Sequence, residues 1–433
     1  MRKLFLLTLI FFSSIKIDSI DTTIFWDNEK EIIRANVGKF DTFFSNDFIG
    51  LVYSDANNKN KLYCIFSSDG KNFSKPYVLT NNFYAKNNDG VDFSVAIDAN
   101  SKLYLAFRTD KNKLEVNTFG FPFEQKNRLN KTVITSPNIL FLPEIAVSAD
   151  GTVFAAYSTN INNDLKIGLT KISQKGDIID AQILGSNLKS SLNPVLKEYG
   201  DSLYLVFQSK DNDDIPTVIN ERSFFREIIN KITDIQDKTL MQNSYKKDPM
   251  KSAYKLIDDI SSADKTRIKE ILLNLKYNNP ANISYSIYVA KSDDGGVNWS
   301  YFRVVTTYGE NNQRPDFIIN GDRMSLVWEK DDDNLISHIY YANLNVKNWN
   351  ILEEIIISER NSDAYLPSLI EYNKSIFVFW YDNTDGTFQN YYREALEVGL
   401  SEVKPVKKMK GRTFLNSVGV FKEAPVIMWG QNF

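Results

Sequence analysis

Four residues carry the chemistry this chain could direct at a ligand: Arg314, Asp316, Arg108 and Arg360. A guanidinium group is a planar fork of donors and grips a carboxylate with two bonds at once. Asp316 sets a carboxyl group close to Arg314 along the chain. All four fall where loops meet predicted strands at one common end. The same loops bring further acids, among them Asp92, Glu144, Glu329, Asp363 and Asp382. Hydrolysis of a glycosidic bond takes two carboxyl groups across a sugar ring, so the residue types for it are present. Such loops also collect Asp and Asn for turn geometry alone. Arg314 and Asp316 flank Pro315 at the start of a predicted innermost strand, which places them first, with Arg108 and Arg360 second. A structural ion pair between Arg314 and Asp316 is the competing reading.

Counting excludes other chemistries. His338 is the only histidine and Cys64 the only cysteine among 433 residues. No internal disulfide can form, and a His-rich zinc site has no ligands to draw on. No metal and no cofactor is expected. A net charge of −3 gives no footprint for nucleic acid.

The elements that must position these residues are strands. Aromatic residues make up 13% of the chain, a share that suits strands more than helices. Seven short apolar segments end in an aromatic: Leu51-Val52-Tyr53, Leu105-Ala106-Phe107, Ala155-Ala156-Tyr157, Leu205-Val206-Phe207, Leu326-Val327-Trp328, Val378-Phe379-Trp380 and Ile427-Met428-Trp429. They recur at steps of 54, 50, 50, 121, 52 and 49 residues. Each sits in a unit of four predicted strands, often opened by a proline: Pro143, Pro194, Pro315 or Pro367. A period of this kind points to an all-β propeller of four-stranded blades, seven by this count, with six as the alternative. The last unit is half complete. Thr23-Ile24-Phe25-Trp26 and Glu31-Ile32-Ile33-Arg34 offer the missing strands and would close the ring.

One stretch fixes the turns. Ser292-Asp293-Asp294-Gly295-Gly296-Val297-Asn298-Trp299 reads S-x-D-x-G-x-x-W after an alternating apolar run. Asp294 can accept N–H bonds within its own turn, and the glycines supply the left-handed backbone of a reversal. A shorter copy is Ser67-Ser68-Asp69-Gly70-Lys71-Asn72-Phe73. The pattern resembles the Asp-box, or BNR repeat, of the sialidase-like β-propellers. The resemblance implies a structural turn built on Ser292, Asp294, Gly296 and Trp299, on the face away from the ligand site. It implies, for active sialidases, six blades, an arginine triad, a tyrosine nucleophile with a glutamate, and an aspartate acid/base. Their first arginine lies in a Phe/Tyr-Arg-Ile-Pro stretch. This chain has no Arg-Ile-Pro, and its nearest form is Gln313-Arg314-Pro315.

Two segments stand apart. Arg2-Lys3 followed by the apolar run Leu4 to Phe12 reads as an export signal over residues 1–19, which leaves a propeller over 20–433 in the periplasm or outside the cell. The run is too short for a membrane-spanning stop-transfer helix, so no anchor is expected after cleavage. The long step before the fifth segment is an insertion, residues 210–282, with a helical pattern and Asp248-Pro249 as a helix start. It leaves its blade at the end opposite the Ser292–Trp299 turn. Two functions stay open: a monomeric exported module that binds a glycan or envelope protein, and an exo-sialidase-like glycoside hydrolase with a divergent site.

Overall fold

A computed structural model gives the fold. It describes residues 5–10, 30–35, 37–84, 92–162, 164–210, 285–305, 311–332, 336–358, 362–395, 401–406 and 412–432. The insertion beyond Lys210 and the stretch Thr23 to Trp26 lie outside the described residues. Within them the chain is all-β, with one short 3-10 turn at Gln125–Asn127.

Every strand belongs to one of seven four-stranded antiparallel sheets. Six are blades of consecutive strands: residues 37–80, 93–135, 140–184, 189–305, 312–356 and 364–405. The seventh sheet joins the chain ends, with Arg412–Phe421 and Ala424–Asn432 beside Phe5–Ile10 and Lys30–Ala35. The expected closure by both ends is therefore present, but with one different strand. Phe5–Ile10, inside the segment read as a leader, pairs with Ala424–Asn432 where Thr23 to Trp26 was expected. Both stretches are apolar and of strand length, so either meets the demand of that edge for a partner.

The aromatic-ending segments explain how the blades pack. In a strand, alternate residues face opposite sides. Leu326 and Trp328 join the apolar cluster shared with the fourth blade, while Val327 joins the one shared with the sixth. Leu205 and Phe207 face the third blade, and Val206 faces the fifth. Leu51 and Tyr53 pack on the closing sheet, and Val52 on the second blade. Each junction thus has its own apolar core, and the ring is held by side chains between blades. Trp328, Trp380 and Trp429 are among the largest fully buried side chains.

The recurrent prolines do not open the strands, as expected from sequence. They lie inside them, at a bulge. The innermost strands Leu140–Val147, Lys189–Tyr199, Asn312–Asn320 and Ala364–Tyr372 shift register around Pro143, Pro194, Pro315 and Pro367. The residue before each proline is left-handed: Leu142 at φ 49°, Asn193 at 53°, Arg314 at 48° and Leu366 at 50°. A bulge leaves the ladder locally unpaired, which suits a residue with no N–H. Four blades repeat the device, so it belongs to the architecture.

Candidate functional site

The two ends of the blades differ. At one end are the tight turns, including Ser292–Trp299; at the other, which we call the mouth, the innermost strands begin and residues 211–284 leave the fourth blade.

At the turn end, the Asp294 carboxylate is satisfied within its own turn. Asp294 accepts from Ser292 Oγ at 2.8 Å and from the N–H groups of Val297 and Asn298 at 3.1 and 2.9 Å. Gly295 and Gly296 take φ of 70° and 87°, and the Trp299 indole donates to Gly296 O at 3.0 Å. Asp69 repeats the pattern with Ser67, Lys71 and Asn72. The Asn298 N–H leads the bonds that hold the Asp294 carboxyl at about 2. Trp299 is only partly buried, against the core between the third and fourth blades.

The innermost strands carry a belt at one level, polar at every blade but the fourth, where Val195 stands. The middle residues of the seven apolar segments mark it. Val52 pairs with Asp41, Ala106 with Ser94, Ala156 with Glu144, Val206 with Val195, Val327 with Asp316, Phe379 with Ser368 and Met428 with Ser417. Cross-strand partners share a face, so each of these residues points toward the next blade. Asp41 accepts the Val95 N–H at 2.8 Å. Ser94 hydrogen-bonds Glu144, whose charge is also felt by Lys197, Asp41 and Asp316. Lys197 donates to Asp316 Oδ1 at 2.7 Å, and Asp316 Oδ2 accepts the Leu369 N–H at 3.1 Å. Thr42 and Ser417 join the closing sheet to the first blade by a hydroxyl pair.

Burial pushes the Glu144 carboxyl up to about 8; the Asp41 charge adds to this, while Lys197 and Ser94 oppose it. Burial likewise lifts Asp41 to about 6 against the N–H bonds from Val95 and Thr42. Glu144 therefore carries its proton at neutral pH, although the channel leaves both groups partly solvent-accessible.

Arg108 and Arg314 do not converge: they belong to the second and fifth blades. Arg108 is buried and gives NH1 to both oxygens of Asp92, at 3.0 and 3.1 Å, with the Tyr84 ring beside it at 5.1 Å. Arg314 faces Glu329 at 3.4 Å, while Asp316 is taken by Lys197, so the two do not pair with each other. Arg360 lies outside the described residues. Arg108 and Glu329 occupy the position just after the blade's aromatic, as does Gln208. Gln208 Oε1 accepts the Arg314 N–H at 3.0 Å, and Glu329 Oε1 accepts the Leu366 N–H at 2.8 Å. Those are the N–H groups of the left-handed residues at the bulges, captured by the preceding blade.

Beside this staple, at the mouth between the fifth and sixth blades, lies a buried polar seam. Gln313 is the cross-strand partner of Glu329, and Ser337 of Asp331. Asn311 Nδ2 donates to Asp331 at 3.0 Å, and the Ser337 N–H to Asp363 at 3.3 Å. Gln313 Nε2, Asn311 Oδ1 and Ser337 Oγ are buried without a hydrogen-bond partner among the described residues. Such groups are costly unless a water or a ligand meets them. No group of three His, Cys, Asp or Glu that could hold a metal occurs among the described residues.

Of the residues singled out from sequence, Asp316 and Glu144 meet at the belt, and Arg314 stands beside the seam. Asp41, Lys197 and the seam residues Asn311, Gln313 and Ser337 were missed. The pairing of Asp41 with the middle of an aromatic-ending segment is the signal that would have found it.

No family model matches the chain, and no curated protein matches it in sequence. The sialidase-like resemblance thus has no family match behind it. Solved structures of similar architecture include a polysaccharide lyase, at 10% identity and a TM-score of 0.49, covering 99% of both chains. An α-L-arabinofuranosidase from Fusarium graminearum aligns at 7% identity and a TM-score of 0.42, over 83% of this chain and 93% of its own. The β-propeller domain of a trilobed protease from Pyrococcus furiosus aligns at 9% identity and 0.45, over 90% and 96%.

Proposed function

We propose that this protein is an exported propeller that binds a glycan at its mouth and does not hydrolyse it. The seam of Asn311, Gln313 and Ser337 carries the reading. It offers neutral donors and acceptors, buried and unmatched among the described residues, next to the Arg314–Glu329 pair. Sugar hydroxyls, which both donate and accept, suit such a set. Asp41, Asp316 and Glu329 meanwhile accept backbone N–H bonds between blades, a structural task. A glycosidase with a divergent site is the second reading. Glu144, protonated at neutral pH beside Asp41, favours it, since hydrolysis needs a carboxylic acid to protonate the leaving group.

A glycan array separates these readings. The parent should bind one class of glycan, and Gln313→Ala should lose it while melting at the parent's temperature. Release of free sugar from any bound glycan, abolished by Glu144→Gln, would select the hydrolase. Binding of envelope proteins with no glycan signal would replace the glycan by a protein partner. Export is part of the proposal. Mass analysis of the native protein should show loss of the first ~14–19 residues, and an intact Met1 on cytoplasmic protein would reject it. Cleavage would also remove Phe5–Ile10 from the closing sheet.

A further inference from the structure

We propose that the turn end holds a second ligand site, a carbohydrate-binding cleft where the first, second and closing blades meet. It stands independently of the mouth. The cleft measures about 760 Å³, within the ~300–1,000 Å³ usual for ligand pockets. Its floor is aromatic. Phe121 is 57% exposed, although a phenyl ring has every reason to be inside. It stacks on Phe48 at 4.9 Å and 20°, and Phe66 and Phe123 meet it edge-on at 5.4 and 5.8 Å. Three rings thus hold a fourth that stays more than half exposed. A ring fixed before binding loses little freedom when a ligand covers it.

The rim is polar and comes from all three blades. Asn46 and Asn100, two amide-bearing residues, line it beside the aromatic floor. Ser101 Oγ donates to Asp47 Oδ2 at 2.7 Å and ties the turns of two blades together. Lys422 of the closing sheet donates to Ser68 O at 2.8 Å and fixes the third side. A flat ring next to amides and a carboxylate matches the two sides of a pyranose. The C–H face lies on the ring, and the hydroxyl edge meets the amides. An apolar peptide anchor would call for an enclosed apolar pocket, and this cleft is open and polar-edged.

The test uses the full chain and three probes, maltohexaose, cellohexaose and chitohexaose, each titrated by calorimetry. At least one should bind, Phe121→Ala should weaken it by about tenfold or more, and Phe121→Tyr should keep it. Phe121 is exposed, and thermal melting of each variant checks that folding is kept. No binding by any probe, or binding that Phe121→Ala leaves unchanged, overturns the inference. Binding lost in Gln313→Ala but kept in Phe121→Ala would place the sugar at the mouth alone. Binding lost only in Phe121→Ala would establish the cleft and leave the mouth proposal without support from these sugars.

Discussion

The carboxylate of the Ser292–Trp299 turn and the carboxylates of the mouth end find their partners over different distances along the chain. At Ser292–Trp299, every bond to Asp294 comes from within four residues of it, and the third blade adds only Lys171 on Gly295 O and Gln182 on Gly296 O. At the mouth and along the channel the partners are on other blades: Gln208 with Arg314, Glu329 with Leu366, Asp316 with Leu369, Asp41 with Val95. The turn can form before the ring does. The channel belt and the seam exist only once neighbouring blades are docked. An end whose polar groups depend on several blades can leave some of them unmatched, as the seam does among the described residues.

The comparison predicts unequal costs for the two tryptophans. Trp328, at the mouth end, is fully buried between blades, and its indole donates to Asn312 at 2.8 Å. Trp328→Ala should cost roughly 3–5 kcal/mol, as for a large aromatic left as a cavity. Trp299→Ala, at a partly buried ring, should cost about 2 kcal/mol. Urea unfolding of both variants measures this, and equal costs would end the distinction.

A smaller effect is expected from the acids. Glu329 has no exposed side-chain surface. Glu329→Ala strands the Leu366 N–H and Arg314, which should cost about 2–3 kcal/mol. Asp294→Ala should cost less, because its partners can turn to water. Should Asp294→Ala prove the more harmful, the local turn would be the stronger support.

The last effect is in pH, and its sign differs between the channel and the turn end. The folded state holds the Glu144 proton up to about 8 from a usual 4.5. It binds more protons than the unfolded chain between those values, so its stability falls as pH rises through that window. Asp294 is held at about 2 from a usual 3.8. Its contribution is present above 3.8 and lost as pH falls toward 2. Glu144→Gln should flatten the loss between 4.5 and 8, and Asp294→Asn the loss below 3.8, as read from melting temperatures across pH. A parent whose stability rises between 4.5 and 8, with no change in Glu144→Gln, would put the Glu144 proton in doubt.

The sequence by itself determined the blades and their turns. Seven aromatic-ending segments at a near-constant period announce repeated sheets, because period and alternation are properties of the chain. Ser292, Asp294, Gly296 and Trp299 announce their turn for the same reason: every partner of the Asp294 carboxylate is nearby. Tertiary structure alone decided the rest. Nothing local to Asp316 says that Lys197, rather than Arg314, will reach it from the preceding blade. Nothing local to Glu144 says that Asp41 will stand close enough to raise its affinity for a proton. The prolines were legible as punctuation but not as bulges, since the N–H of the left-handed residue before the proline is captured by a residue about a hundred positions away in the case of Arg314 and Gln208. Which terminal stretch closes the ring also lies beyond local pattern. Phe5–Ile10 and Thr23 to Trp26 are both apolar strand formers, and only the edge they compete for distinguishes them.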